Sequence, residues 1–253
     1  MATIKTTLLN ETINGIKINT SLACHIGNFA NLSSREVKYI VMHYTGNKKD
    51  TALNNAKYFM NNDVDVSAHF FVDDNSIYQS VELRDRAWHC GGKKYYHKYC
   101  RNSNSFGIEM CCTEGNYRIG AKAIENSAHL CARLCKLLGI TADTVDTYVL
   151  RHYDITHKDC PAQMAGSNNE VAEWIAFKDR VKSILRGDNS FTPYLVRVKV
   201  NSRLRIRAEA TTNSKTVGYV TNGEVFTIVG EANGFGKLKS GLGWISLKYT
   251  EKL

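Results

Sequence analysis

Residues 39–44 read YIVMHY, an apolar run that closes on a histidine and a tyrosine. A run of this length and composition fits a strand buried on both faces. Three further stretches have the same form: His69–Asp73 (HFFVD), Phe106–Cys111 (FGIEMC) and Tyr148–Tyr153 (YVLRHY). Helical patterns near Thr51–Asn61, Gly120–Leu138 and Asn169–Leu185 alternate with them. Residues 20–186 therefore read as one α/β domain, a mixed central β-sheet flanked by helices.

The chain changes character at residues 187–193, GDNSFTP, a polar stretch that holds a glycine and ends in a proline. This is the expected linker. Residues 194–253 then carry short alternating runs punctuated by glycine, among them YLVRVKV, LRIRAE, EVFTIVGEA and GWISLKYT, which predict a small β-barrel.

The 253 residues are 43% hydrophobic and include only two prolines, which excludes a largely disordered chain. The formal net charge of +9 suits a polyanionic partner. No zinc-finger or helix-turn-helix signature accompanies it, and nucleic acid is not expected as a partner. No stretch approaches the roughly 18 apolar residues of a membrane span, so insertion in a membrane is not expected either. The opening MATIKTTLLNETINGIKINT lacks a charged segment followed by an apolar one. That predicts synthesis in the cytoplasm without a signal peptide, with the eight cysteines mostly reduced.

Three of the apolar runs place a polar residue where an apolar one is expected: His43, Glu109 and His152. Groups at the ends of central strands open onto the mouth of the sheet, where α/β proteins place their sites. Eight residues after His152 comes Cys160, in RHYDITHKDCP. Two imidazoles and a thiolate are good zinc ligands, and three protein ligands leave the fourth tetrahedral position open. The alternative is that His43 and His152 are hydrogen-bonded core residues and Cys160 a buried thiol. With zinc on Cys160, Lys158, two residues before it, would stand at the rim of the metal site, and Glu109 would exchange protons with water there. The alternatives for these two are a solvated loop charge and a partner for an arginine.

Taken together, YIVMHYTG around His43, VSAHFFVDDNSIYQSV around His69, RAWHCGG around His89, NSNSFGIEMC around Glu109 and RHYDITHKDCP resemble the type 2 N-acetylmuramoyl-L-alanine amidases. The resemblance spans most of residues 36–175. It implies one zinc ion on His43, His152 and Cys160, Glu109 as general base and then acid, and Lys158 steadying an oxyanion. His69, Trp88, His89 and Asn104 match positions along the substrate cleft; for His69 a structural hydrogen-bonding role is the favoured reading, and for Trp88 packing stands beside substrate contact. Some members use an aspartate as third ligand, and Asp159 is adjacent to Cys160. Members with a catalytic tyrosine carry it where this chain has Ala68, which excludes that variant here.

The stretch from Tyr194 resembles bacterial SH3-like wall-binding domains, with the cross-bridge or stem peptide of peptidoglycan as the implied ligand. The implied reaction is hydrolysis of the amide between N-acetylmuramic acid and L-alanine, with bacterial peptidoglycan as partner. A phage endolysin released to the wall through a holin-type pore is the favoured setting. A non-catalytic peptidoglycan-recognition protein and a muropeptide-recycling amidase are the rival readings.

Overall fold

The computed structural model describes residues 2–166, 168–187 and 194–253. Two compact units result, Met1–Gly187 and Asp188–Leu253. Apart from Gly187, the expected linker lies outside the described residues.

The first unit is built on a seven-stranded mixed sheet. Its strands are β1 (Thr12–Ile13), β2 (Ile16–Asn19), β3 (Tyr39–Tyr44), β4 (Phe70–Val72), β5 (Ile77–Gln79), β6 (Ser105–Met110) and β7 (Val149–Arg151), and its helices α1 (Ala52–Asn61), α2 (Ala121–Leu138), α3 (Val145–Tyr148), α4 (His152–Thr156) and α5 (Asn168–Leu185). Their order across the sheet is β7-β3-β6-β4-β5-β2-β1. The first four in that order run parallel, β5 is antiparallel to β4, and β2 continues parallel to β5. Two expected strands come out shorter at their ends, and His152 leaves the sheet altogether for the helix that follows β7.

Successive strand residues point to opposite faces, and the sequence uses this to separate stability from chemistry. Ile40 and Met42 of β3 and Phe106, Ile108 and Met110 of β6 join one core with α2 (Ala121–Leu138) and α5 (Asn168–Leu185) through Leu130, Leu134, Trp174 and Phe177. Phe106 is fully buried there, so its truncation to alanine costs about 3–5 kcal/mol. Tyr39 and Val41 belong instead to a small cluster with Cys90, Cys100, Leu150 and Ile155. Ser105, Gly107 and Glu109 of β6 pair in register with Tyr39, Val41 and His43. They therefore share that second face.

Helix α2 shows why the first face closes well. Its buried stripe includes Ala123, Leu130, Cys131, Leu134 and Cys135, and it ends on Gly139 in the left-handed region at φ 70°, whose N–H reaches back to the carbonyls of Cys135 and Lys136. Cys131 and Cys135, at i and i+4, are thus core residues. The N-terminal residues also belong to this unit: Ala2–Ile4 pairs with Arg35–Val37, and β1 and β2 extend the sheet. The compact unit takes in residues ahead of residue 20.

The second unit is an antiparallel sheet of seven strands, β8 (Tyr194–Val198), β9 (Arg203–Arg207), β10 (Thr216–Thr221), β11 (Val225–Ala232), β12 (Phe235–Leu238), β13 (Trp244–Ser246) and β14 (Thr250–Lys252). They are ordered β10-β9-β13-β12-β11-β8-β14. Val196, Val198, Leu204, Ile206, Val220, Ile228, Leu238 and Ile245 form a core of its own. Among the described residues no helix is long and apolar enough to cross a membrane.

Candidate active site

Strand register assembles the site. Glu109 of β6 lies opposite His43 of β3, and Arg151 of β7 lies opposite Met42. His152, the next residue, therefore comes level with His43. Three adjacent parallel strands so bring His152, His43 and Glu109 to one edge of the sheet. His152 opens helix α4 (His152–Thr156) because Asp154 turns the chain there: its carboxylate accepts the Arg151 N–H at 2.8 Å and pairs with the Arg151 guanidinium at 2.6 Å. After the helix the chain folds back, the Tyr153 N–H donating to the Cys160 carbonyl at 3.0 Å, which returns the thiol to the same edge.

One ligand atom from each of His43, His152 and Cys160 lies within 4.8 Å of the others, and all three residues are buried. Sγ of Cys160 stands 3.7 Å from Nδ1 of His43. Among the described residues Nδ1 of His152 is buried without a hydrogen-bond partner, an arrangement that costs free energy unless something occupies it. Burial and the charge of Lys158 hold His152 down to about 4, and burial pushes the Cys160 thiol well above its usual range. Two neutral imidazoles and a thiol that only a nearby cation would ionise are the donors a metal with nitrogen and sulfur preference requires. The residues present fit such an ion.

The remaining ring nitrogens are held in place. Nε2 of His152 donates to the Gly91 carbonyl at 3.1 Å. With Nδ1 of His43 facing the other ligands, its Nε2–H donates to Nδ1 of His89 at 3.0 Å. Nε2–H of His89 then donates to Oγ of Ser105 at 3.1 Å, and that hydroxyl donates to the Arg101 carbonyl at 2.7 Å. The chain of donors fixes one tautomer at each ring, as outer contacts of metal ligands do.

Glu109 keeps partial exposure, yet its Oε2 is buried and has no hydrogen-bond partner among the described residues. Burial raises its pKa to about 8, Lys158 works against this, and Asp50 adds to it. A carboxyl poised near neutrality beside a candidate metal site can both take and return a proton. Lys158 is exposed, and its charge reaches Glu109, His43 and His152.

An open cleft of about 630 Å³ adjoins this edge, lined by residues that include Arg86, Trp88, His89, Arg101, His152 and Lys158. Trp88 is half-buried in its wall. Two of the expected cleft residues lie elsewhere. His69 is fully buried: its Nδ1 accepts the Gly107 N–H at 3.0 Å and its Nε2 donates to the Asp85 carbonyl at 3.2 Å, so its ring is spent on the core, the role the sequence reading favoured for it over substrate contact. Asn104 uses its amide within its own loop, accepting from the Arg101 N–H and donating to the Tyr99 carbonyl. Its neighbours Asn102 and Ser103 line the cleft instead. Ser105 and Gly91, which orient the ligands, escaped the sequence reading; the small, polar alternation in SFGIEM was the available signal for Ser105, while a backbone carbonyl leaves none.

Comparison with known proteins places the chain among relatives. The family model described as N-acetylmuramoyl-L-alanine amidase matches residues 33–163, and that of the bacterial SH3 domain matches residues 202–251. A probable N-acetylmuramoyl-L-alanine amidase of Bacillus licheniformis is 34% identical over 157 residues, 59% of this chain and 42% of the relative. The N-acetylmuramoyl-L-alanine amidase BlyA of Bacillus subtilis is 32% identical over 169 residues, 62% of this chain and 44% of its own length. The chain thus spans less than half the length of these relatives. Among solved structures, the catalytic domain of XlyA superposes with a TM-score of 0.53 at 28% identity, covering 66% of this chain and 99% of that one. The PlyG catalytic domain gives 0.54 at 26%, covering 70% and 98%. With its strand-edge His-His-Cys set inside a match that takes in just over half of its residues, the chain belongs to the N-acetylmuramoyl-L-alanine amidase family and carries a bacterial SH3 domain behind the amidase fold.

Proposed function

We propose that the unit ending at Gly187 hydrolyses the amide bond between N-acetylmuramic acid and L-alanine in peptidoglycan, and that the unit from 194 to 253 holds the protein on the wall. The observation that carries this reading is the convergence of His43, His152 and Cys160 with Glu109 on one sheet edge beside an open cleft. His43, His152 and Cys160 would hold one zinc ion. Bound there, zinc supplies Lewis acidity at its open coordination position.

The protein's own groups do the rest. Glu109 takes a proton from the attacking water and delivers it to the leaving amine nitrogen, a cycle for which a pKa near 8 suits it. Lys158 places its ammonium at the cleft rim, where negative charge develops on the amide oxygen. Trp88 offers a flat apolar face to a sugar or stem peptide. The complete ligand set speaks against a recognition protein that does not cut, and the attached SH3 domain against a role confined to soluble fragments. An endolysin acting at the wall after release is the setting these features support.

The test is digestion of purified peptidoglycan with and without a zinc chelator, the new ends being identified by mass spectrometry. New N-terminal L-alanine that disappears on chelation and returns with zinc is the expected result. Cleavage elsewhere in the glycan or peptide would overturn the bond assignment.

A further inference from the structure

We propose that the second unit contains a groove that reads a repeating phosphodiester, the backbone of a polyol-phosphate polymer attached to the wall. This rests on the reading of that unit as the wall-attachment domain.

Charge is concentrated there. Residues 194–253 hold ten Lys and Arg against four Asp and Glu, six of the nine formal positive charges of the whole chain. On β9 the sequence RLRIR alternates: Leu204 and Ile206 enter the core, while Arg203 and Arg205 are exposed and Arg207 is half-buried. Arg203 and Arg205 therefore recur on one side of a single strand, about 6.8 Å apart at the Cα atoms, and Arg207 follows across an irregularity in the pairing between Ile206 and Arg207. All three line a groove of about 670 Å³ together with Lys199, Tyr219 and Tyr249. Among the described residues none that lines this groove is acidic.

The groove is built as well as charged. Tyr219 lies directly across from Arg205 on β10, and the Arg203 guanidinium stacks 4.0 Å above the Tyr219 ring. Arg207 is anchored by donating to the Ser214 carbonyl at 2.7 Å, and Lys199 pairs with Glu251 at 2.9 Å. Tyr219 and Tyr249 remain about half exposed. A row of guanidinium forks between aromatic faces matches phosphate oxygens bidentately and leaves the rings for the carbon segments between them.

Spacing decides between ligands. A stem peptide offers scattered carboxylates, whereas a polyol phosphate repeats its charge along a line. The six bonds that separate successive phosphates in a polyglycerol phosphate span about 7 Å when extended, by the same reach that gives a peptide about 3.5 Å per three bonds. That repeat equals the arginine spacing. Three phosphate contacts on a flexible polyanion predict a slope of log affinity against log salt of about −2, or roughly a twentyfold loss over a fourfold rise in salt.

The experiment measures binding of the full chain to three probes: poly(glycerol phosphate), intact Gram-positive walls, and the same walls stripped of phosphodiesters by hydrofluoric acid. The Arg203→Gln/Arg205→Gln double variant and Arg205→Lys are run alongside, with thermal melting to verify folding. Expected are binding to the free polymer with the stated salt slope, at least tenfold weaker binding to stripped walls, and a similar loss in the double variant, while Arg205→Lys loses less. Cleavage of a soluble muramyl peptide should be unchanged in both variants. Full binding to stripped walls, insensitive to the arginines, overturns the phosphate groove and leaves wall attachment standing. Binding to no form of wall overturns wall attachment itself. Equal or tighter binding to a single-stranded oligonucleotide of matched charge overturns the assignment to a polyol polymer.

Discussion

Gly107 gives His89 its place: a Cβ at Gly107 would stand 2.6 Å from Cγ of His89 and 2.8 Å from its Nδ1. That nitrogen is the acceptor of the His43 Nε2–H. A hydrogen atom in place of a side chain on β6 is thus what leaves room for the ring that orients His43, a candidate metal ligand, two residues before the carboxylate proposed for proton transfer.

Replacing Gly107 with alanine should displace His89 and loosen His43. Metal affinity is expected to fall about 10–100-fold, as for other losses of an outer contact to a ligand. Ser105→Ala, which removes the acceptor of the His89 Nε2–H, should act in the same direction and cost about 1–3 kcal/mol of stability. Competition titration with a chromophoric zinc chelator measures the first, and denaturant melts the second.

Glu109→Gln preserves size and removes the proton acceptor. Turnover should drop about 10²–10⁴-fold while bound zinc stays at one per chain. Rates within threefold of the wild type would remove Glu109 from the chemistry.

Cys160→Ser exchanges a thiolate for a poor ligand at the triad. Elemental analysis after dialysis should find little zinc, and the increase in melting temperature on adding zinc to the metal-free protein should shrink or vanish.

Away from the site, Glu125 links acid stability to an ion pair between helices. Burial by itself would raise its pKa, but hydrogen bonds from His129 and Arg180 outweigh this and hold it at about 2. A depressed carboxyl contributes stability that is complete above its ordinary pKa near 4.5 and is lost as pH falls from there towards 2. The melting temperature should fall across that window, and Glu125→Gln should melt lower at neutral pH and show a shallower decline. Equal slopes for both proteins would mean the α2–α5 ion pair contributes nothing.

Removing residues 188–253 should weaken attachment to walls and leave cleavage of a soluble muramyl peptide nearly intact. Loss of soluble turnover would mean that the two units share a site.

Much of this was legible in the sequence because polar residues at the ends of apolar strands are conspicuous. His43, Glu109 and His152 stood out in that way, and register then placed them side by side. For His69 the sequence already favoured a structural role, whereas the contact of His89 was not legible. His69 is enclosed by Gly107 and Asp85, and only the fold shows that His89 touches His43. Asn102 and Asn104 are separated in the same way, by which loop atoms each amide happens to satisfy. The pairing of Ala2–Ile4 with Arg35–Val37 depends on contacts far apart in the chain, to which local pattern is blind.

The alternation along Ser105–Met110 also divides the routes by which this sequence can change. Even-numbered positions answer to α2 and α5, odd-numbered ones to the reacting groups. A library drawn on Phe106, Ile108, Met110 and their helical partners would search for heat tolerance while leaving substrate turnover largely untouched. A library on the intervening positions would search reactivity, with few paths that trade one property against the other.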